Sequence, residues 1–436
     1  MRTMLRVWAG VGSVAMTIAM SGCEPLAGVS ADGTRPALSE AVPEEVGMSS
    51  QRLTRLHDGM QELVDGGRLA GITTMIARHG HVADFQTYGY RDLEAGASME
   101  RDAIFRIYSM SKPITGVALM TLFEEGQFRL SDPVARYIPE LSDLQVVTGW
   151  GPNGPTTEDA DHPMTIRELM THTGGFAYGL GFVDPVDSIY VADGVLARDQ
   201  TLSDMINKLA AIPLRVQPGT QWYYSISVDV QGYLVEVLSG QPLDAFMEER
   251  IFGPLGMRDS GFHVPEAEHD RFAQIYTYDA DGELVALPCA ADVLFCESFH
   301  EPTTFFSGGG GMVSTTMDYM RFCQMMLNGG ELDGVRILSP TTVELMMQNQ
   351  LPRTLPEYSP GKGFGLDFSV VLDPVEAGTV SEEVYWSGAA GTWFWIDPEE
   401  DLIFVGMIQA FGGGLPDVGS LSRQLTYQAI TTSVAQ

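Results

Sequence analysis

The chain has 436 residues, 44% of them hydrophobic, enough for one large core or two contiguous ones. Its formal net charge of −32 argues against nucleic acid as a partner, because so acidic a surface repels phosphates, and otherwise favours solubility without specifying a reaction. The 48 glycines and 24 prolines are scattered without a repeat, which excludes a fibrous or disordered chain and fits a loop-rich globular one.

Residues 1–22 read as a signal peptide. Arg2 and Arg6 lead into an uncharged, mainly apolar run from Val7 to Met20 that is short for a membrane span. The run ends in Met20-Ser21-Gly22-Cys23, which resembles a bacterial lipoprotein cleavage box with methionine in place of the usual leucine. That resemblance implies lipidation of Cys23, membrane attachment through it, and an exported protein, periplasmic or anchored at the outer membrane. Ordinary cleavage would instead release a soluble periplasmic or secreted form. Residues 23–45, polar and punctuated by Pro and Gly, read as a tether.

Beyond the tether, Leu53, Leu56, Met60 and Leu63 repeat with a helical period, capped by Ser49 or Ser50. "GITTMIARHG" and "HVADFQTYGYRD" follow as two strands joined at a Gly80 turn. From Tyr108 to about Phe299 short helices and long loops prevail, among them "TIRELMTHT", where Thr165 and Glu168 have capping-box spacing, and "PLDAFMEERIFGPLG". After Gly308 helices return, then "YWSGAAGTWFWIDP" and "LIFVGMIQA" as a hairpin turning at Asp397–Glu400. "GSLSRQLTYQAITTSV" closes the chain as a helix. This pattern predicts an α+β fold: an antiparallel sheet built from both chain ends (46–107 and 300–436), flanked by helices, with a mostly helical insertion over 108–299 and the site in the cleft between them.

Cys289 and Cys296 flank "CAADVLFC", and an oxidising compartment would permit a bridge between them. Cys323 sits in an apolar helical pattern as a core thiol. Their spacing matches no zinc motif, so no metal is expected, and no cofactor.

Only three lysines, Lys112, Lys208 and Lys362, stand against 22 arginines, so the lysine in "FRIYSMSKPITGVALM" needs a reason. Ser109 and Lys112 have S-x-x-K spacing, which on a helix places the amine beside the hydroxyl, where it can accept or orient the serine proton. Partial desolvation would lower the lysine pKa towards that task, and a helix N-terminus would favour the developing anion. Ser359 and Lys362 repeat the spacing in "SPGK", where Pro360 and Gly361 preclude a helical turn. In "PGTQWYYSISVDVQGYLVEVLSG", Tyr224 follows Pro218 by six residues; beside a lysine its phenol can shuttle the serine proton, and otherwise it is a core aromatic. In "WSGAAGT", small residues at a strand end let backbone approach a substrate and donate to an oxyanion, or pack tightly against a helix.

In this order and at these separations the three elements resemble the serine penicillin-recognising superfamily, which includes class C β-lactamases, D-alanyl-D-alanine peptidases and family VIII carboxylesterases. The resemblance runs from about Val46 to the C-terminus and includes "TIRELMTHTGG", "IFGPLGMRDSGF" and "SGGGGMVSTTMDYMRF". It implies the β-lactamase/DD-peptidase-like fold, Ser109 as acylated nucleophile, Lys112 as its activating partner and Tyr224 as general base. It further implies an oxyanion hole of the Ser109 and Ala389 N–H groups, with Trp386, Ser387 and Gly388 standing where the family carries K-T-G. Trp386 replaces the lysine that would meet a substrate carboxylate, and Ile226 replaces the asparagine of Y-x-N. Both changes remove polar readers of substrate, and the variants look like those of family VIII esterases. The expected activity is therefore hydrolysis of neutral, short-chain carboxylic esters, a small-molecule substrate. A β-lactamase, a D-alanyl-D-alanine peptidase or a non-catalytic cell-wall sensor on the same scaffold are the alternatives. The G-x-S-x-G elbow of α/β-hydrolases is absent from the sequence. His172, beside Gly174-Gly175, is expected to be structural, and Asp318 a helix-start residue.

Overall fold

The structure, a computed structural model, describes residues 38–152, 154–180, 184–287, 299–355 and 358–433. Nine strands form its main sheet: β1 (Ser39–Glu40), β2 (Gly71–Arg78), β3 (His81–Asp92), β4 (Ala97–Ser98), β5 (Lys362–Phe364), β6 (Ser369–Val371), β7 (Val384–Ser387), β8 (Trp393–Asp397) and β9 (Leu402–Met407). They lie in the order β1-β3-β2-β9-β8-β7-β6-β5, with β4 on β3, so the two ends of the chain meet at the β2–β9 pair.

Side chains alternate across these strands, and the alternation decides what covers each face. Ile72 and Ile76, Trp393 and Trp395, and Leu402 and Phe404 point to one side, where α1 (Ser50–Asp65) and the closing helix Val418–Tyr427 cover them. Met75 and Ala77, Phe394 and Ile396, and Ile403 and Val405 point to the other and join the larger core. Trp395 and Phe404 are directly opposite across β8 and β9, their rings stacked at 4.2 Å and 2°. Gly406, opposite Trp393, is required, since a Cβ there would sit 2.3 Å from the indole.

The larger core is organised around α2 (Ser111–Glu124). Twelve of its 14 residues are buried, as a helix apolar on all sides demands. It packs against α3 (Ser227–Ser239), while α4 (Thr316–Leu327) packs on the sheet at β2 and β9.

Several expectations need correction. The expected tether already belongs to the fold from Ser39 on: β1 pairs with β3, in parallel, and the Ala41 N–H donates to the Val82 carbonyl. The middle of the chain carries two hairpins among its helices, Gln145–Gly151 with Gly154–Asp159 and Tyr276–Tyr278 with Leu284–Ala286. "YWSGAAGTWFWIDP" makes two strands, because Gly388–Thr392 is itself a turn, closed by the Gly388 N–H on the Thr392 carbonyl. Ser49, not Ser50, caps α1, and the Thr165–Glu168 capping box is formed. The closing helix stops at Tyr427, after which Ile430 bridges back to Met48. Cys323 is a buried thiol whose pKa burial pushes up. The signal segment, Cys23, Cys289 and Cys296 lie outside the described residues.

Phe404→Ala removes the centre of the outer face of the sheet and should cost about 3–5 kcal/mol, read as a lowered urea midpoint at unchanged slope.

Candidate active site

The approach to Ser109 is strained. Tyr108 has φ of +40°, a conformation few residues with a Cβ adopt, and its ring is wedged edge-on against Phe299 and Phe411. Tyr108–Met110 form a single 3-10 turn before α2 begins at Ser111. In such a turn positions i and i+3 eclipse, so Lys112 still reaches back to Ser109, with Nζ 3.2 Å from Oγ.

Lys112 is fully buried, and its ammonium is satisfied on three sides. It donates to Ser109 Oγ, to the Tyr178 hydroxyl at 2.8 Å and to the Gly309 carbonyl at 2.5 Å. Burial alone would lower its pKa, but the negative forms of Tyr178, Tyr224 and Asp229 outweigh that, and the net direction is upward. This is opposite in direction to the lowering expected from desolvation alone. A carbonyl can only accept, so the contact with Gly309 favours the charged amine as well.

Tyr224 completes the group. Its hydroxyl is 2.6 Å from Ser109 Oγ, and its ring centroid is 4.6 Å from Lys112 Nζ. It precedes α3, whose first turn carries the buried Asp229. That carboxylate accepts from Ser307 Oγ at 2.5 Å and the Gly309 N–H at 3.1 Å, and burial raises its pKa against the pull of Lys112. Gly309 thus bridges the cation and the acid, and a Cβ on it would meet Asp229 Oδ2 at 2.5 Å.

The turn after β7 is pinned to the segment that leads into Ser109. The Thr392 hydroxyl donates to the Ile107 carbonyl, and a Cβ on Gly388 would lie 2.4 Å from that same oxygen. Ser109, Tyr178, Tyr224, Asp229 and Trp386–Ala389 all line one cavity of about 320 Å³, which Leu180, Leu196 and Phe305 also line. Trp386 packs at 5.5 Å against both Tyr224 and Phe364.

Most of the expected site residues therefore meet in one place. Ile226 does not: it is fully buried in the core, its N–H donating to Ala177, and it forms no part of the cavity wall. Ser359 and Lys362 only close a backbone turn. His172 is buried, with Nδ1 3.0 Å from Ser225 Oγ. Asp318 accepts from the Asp259 N–H and Ser260 Oγ away from the cavity, its pKa raised by burial to about 6. Sequence reasoning missed Tyr178, Asp229 and Gly309; only the glycine run of "SGGGG" marked the last of them.

The chain belongs to the Beta-lactamase family, whose model matches residues 56–426. Protein Rv1367c of Mycobacterium tuberculosis (strain ATCC 25618 / H37Rv) is 37% identical over 366 residues, covering 80% of this chain and 88% of its own. Esterase EstB of Burkholderia gladioli is 35% identical over 345 residues, 75% of this chain and 83% of its own. Among solved structures, EstCE1, a hydrolase with promiscuous acyltransferase activity, matches with a TM-score of 0.75 at 27% identity, over 86% of this chain and 99% of its own. The fold is the β-lactamase/penicillin-binding-protein-like one, as expected, and the protein is a serine hydrolase of this family.

Burial and the neighbouring Lys112 charge hold the His172 pKa well below 6.5. As the pH falls below 6.5 the unfolded chain takes up a proton at this position that the folded chain refuses, so folding stability drops. Urea denaturation of wild type and His172→Phe at pH 7 and pH 5 should show the wild type losing more, by up to about 1.4 kcal/mol per pH unit.

Proposed function

We propose that the protein is a carboxylesterase that cleaves neutral, short-chain carboxylic esters through an acyl-enzyme on Ser109. The observation that carries this reading is the contact of Ser109 Oγ with both Lys112 and Tyr224 at the floor of a cavity walled by Trp386. The reactive form pairs the Lys112 ammonium with the Tyr224 phenolate. The phenolate takes the Ser109 proton as Oγ attacks the ester carbonyl carbon. The N–H groups of Ser109 and Ala389, which line the cavity together, receive the oxyanion. The carbon–oxygen bond to the alcohol then breaks, Tyr224 returns the proton to the departing oxygen, and water repeats the sequence to release the acid. Lys112 keeps its proton throughout and supplies the charge that holds Tyr224 and Ser109 together.

The cavity wall supports a neutral substrate. Where a β-lactamase or D-alanyl-D-alanine peptidase would present a cation to a carboxylate, Trp386 presents an indole, and Lys112 is sealed beneath the floor. The likeness to EstB and EstCE1 points the same way. A non-catalytic sensor has no use for three polar groups held this close, so that alternative is not favoured.

Wild type should hydrolyse p-nitrophenyl butyrate, and Ser109→Ala should lose roughly a thousandfold or more in kcat. A chromogenic cephalosporin turned over far better than the ester would refute the substrate assignment, and inactivity on both would refute the enzyme.

Lys112→Arg should lower kcat on the same ester by about a hundredfold or more, because a planar guanidinium cannot meet three acceptors that converge on one point. Near-normal turnover by this variant would sink the role given to Lys112.

A further inference from the structure

His172 brackets Tyr224 from three directions. Its carbonyl accepts the Tyr223 N–H at 2.9 Å, just before the tyrosine. Its Nδ1 accepts the Ser225 N–H at 3.3 Å, just after it, and lies 3.0 Å from Ser225 Oγ. Its ring centroid is 5.0 Å from that of Tyr224. Because a backbone N–H can only donate, Nδ1 must be the acceptor, and the hydrogen-bond network assigns the imidazole proton to Nε2.

Two features of His172 are unfavourable for a residue that merely fills space. Its backbone is left-handed, with φ of +55°, where asparagine or glycine fits more easily. Its Nε2 is buried without a hydrogen-bond partner among the described residues, amid the rings of Trp222, Tyr224 and Phe364. An apolar ring would pack there without stranding a polar atom. What histidine alone supplies is an aromatic ring with an acceptor at the Nδ1 position, facing Ser225.

We propose that His172 is a positioning residue for Tyr224, fixing through Ser225 the place of the phenol oxygen against Ser109 Oγ. Its hydrogen bonds go to Tyr223 and Ser225, so it acts through Tyr224 and not on the substrate. Ser225 passes the constraint on to the start of α3, its Oγ being 2.7 Å from Ser227 Oγ. The inference rests on the reading of Tyr224 as the base.

Labelling of Ser109 by a fluorophosphonate reads activation of the nucleophile whatever the natural substrate is. His172→Phe keeps the ring and removes the acceptor; His172→Asn places an oxygen where Nδ1 stood and suits the left-handed backbone. The Phe variant should lose about 30- to 100-fold in the maximal inactivation rate, with the probe's binding constant changed by less than about threefold. The Asn variant should recover to within about fivefold of wild type. A Phe variant labelled at the wild-type rate overturns the inference, as does an Asn variant that falls as far as Phe. If the Phe variant does not fold, Ser225→Ala replaces it, with an expected loss of about three- to tenfold in the same rate, and an unchanged rate overturns the inference. A wild type that is not labelled overturns the inference together with the role of Tyr224. Labelling without ester hydrolysis removes the esterase reading alone.

Discussion

The buried ammonium of Lys112 is the constraint around which the rest of this molecule is arranged. A lone cation in a protein interior is penalised by several kcal/mol, and it is tolerated only where acceptors surround it. Here those acceptors come from three distant parts of the chain: Ser109 on the turn before α2, Tyr178 in the helical region, and Gly309 on the loop leading to α4. Each acceptor is itself held. The Tyr178 and Gly179 N–H groups donate to the buried carboxylate of Asp187, which also accepts from Tyr223. Gly309 is fastened to Asp229. The charge thus ties the sheet-side and helical parts together at the point where Ser109 stands.

The same arrangement keeps the charges at the cavity paired in a protein this acidic. Among the described residues the cation at the site, Lys112, is fully buried and does not line the cavity, while Asp229, which does line it, is buried and accepts from Ser307 and Gly309. Much of the lining is aromatic and aliphatic, with Trp386 against Tyr224 and with Leu180, Leu196 and Phe305. A neutral acyl group entering it gives up little hydration, while a carboxylate would lose its water and meet no partner. On the proposed esterase reading, selectivity would come from what the wall cannot compensate, more than from any contact it makes.

Much of this was legible from the residues. A lysine in an arginine-rich chain, three positions after a serine, and a tyrosine just ahead of an apolar helix are local patterns, and their geometry followed from helix spacing. The two-ended sheet was legible because "GITTMIAR" and "LIFVGM" are largely apolar runs of strand length near the two ends of the chain, with a helical pattern between them. What escaped depends on distant contacts. Tyr178 and Asp229 are unremarkable in their own segments, and only the folded chain brings them to Lys112. The direction of the Lys112 pKa departed from expectation for the same reason: desolvation could be foreseen, but the nearness of Tyr178 and Asp229 could not. Ile226 was misjudged because a motif position fixes sequence distance from Tyr224 and not the direction of a side chain, which here turns into the core. The hairpin over 145–159 was missed because its strands are largely polar and exposed, which gives no alternation to read.

The strain at Tyr108 then has a physical place in the mechanism. Its φ of +40° is maintained by the rings of Phe299 and Phe411, by the Tyr319 hydroxyl bonded to the Met110 carbonyl, and by the Met312 N–H donating to Ser111 Oγ. Those contacts hold the turn that carries Ser109, so Ser109 cannot relax into a regular first turn of α2. On the cavity side, the Gly388–Thr392 turn abuts the Ile107 carbonyl at a distance that admits no side chain at Gly388. A serine placed by packing on one side and by a tight turn on the other does not have to be reoriented when substrate arrives, and such preorganisation is where a rigid site gains its rate. It also accounts for the small residues of "SGAAG": they are set by the closeness of two backbones, and the room left in front of Ala389 follows from that closeness.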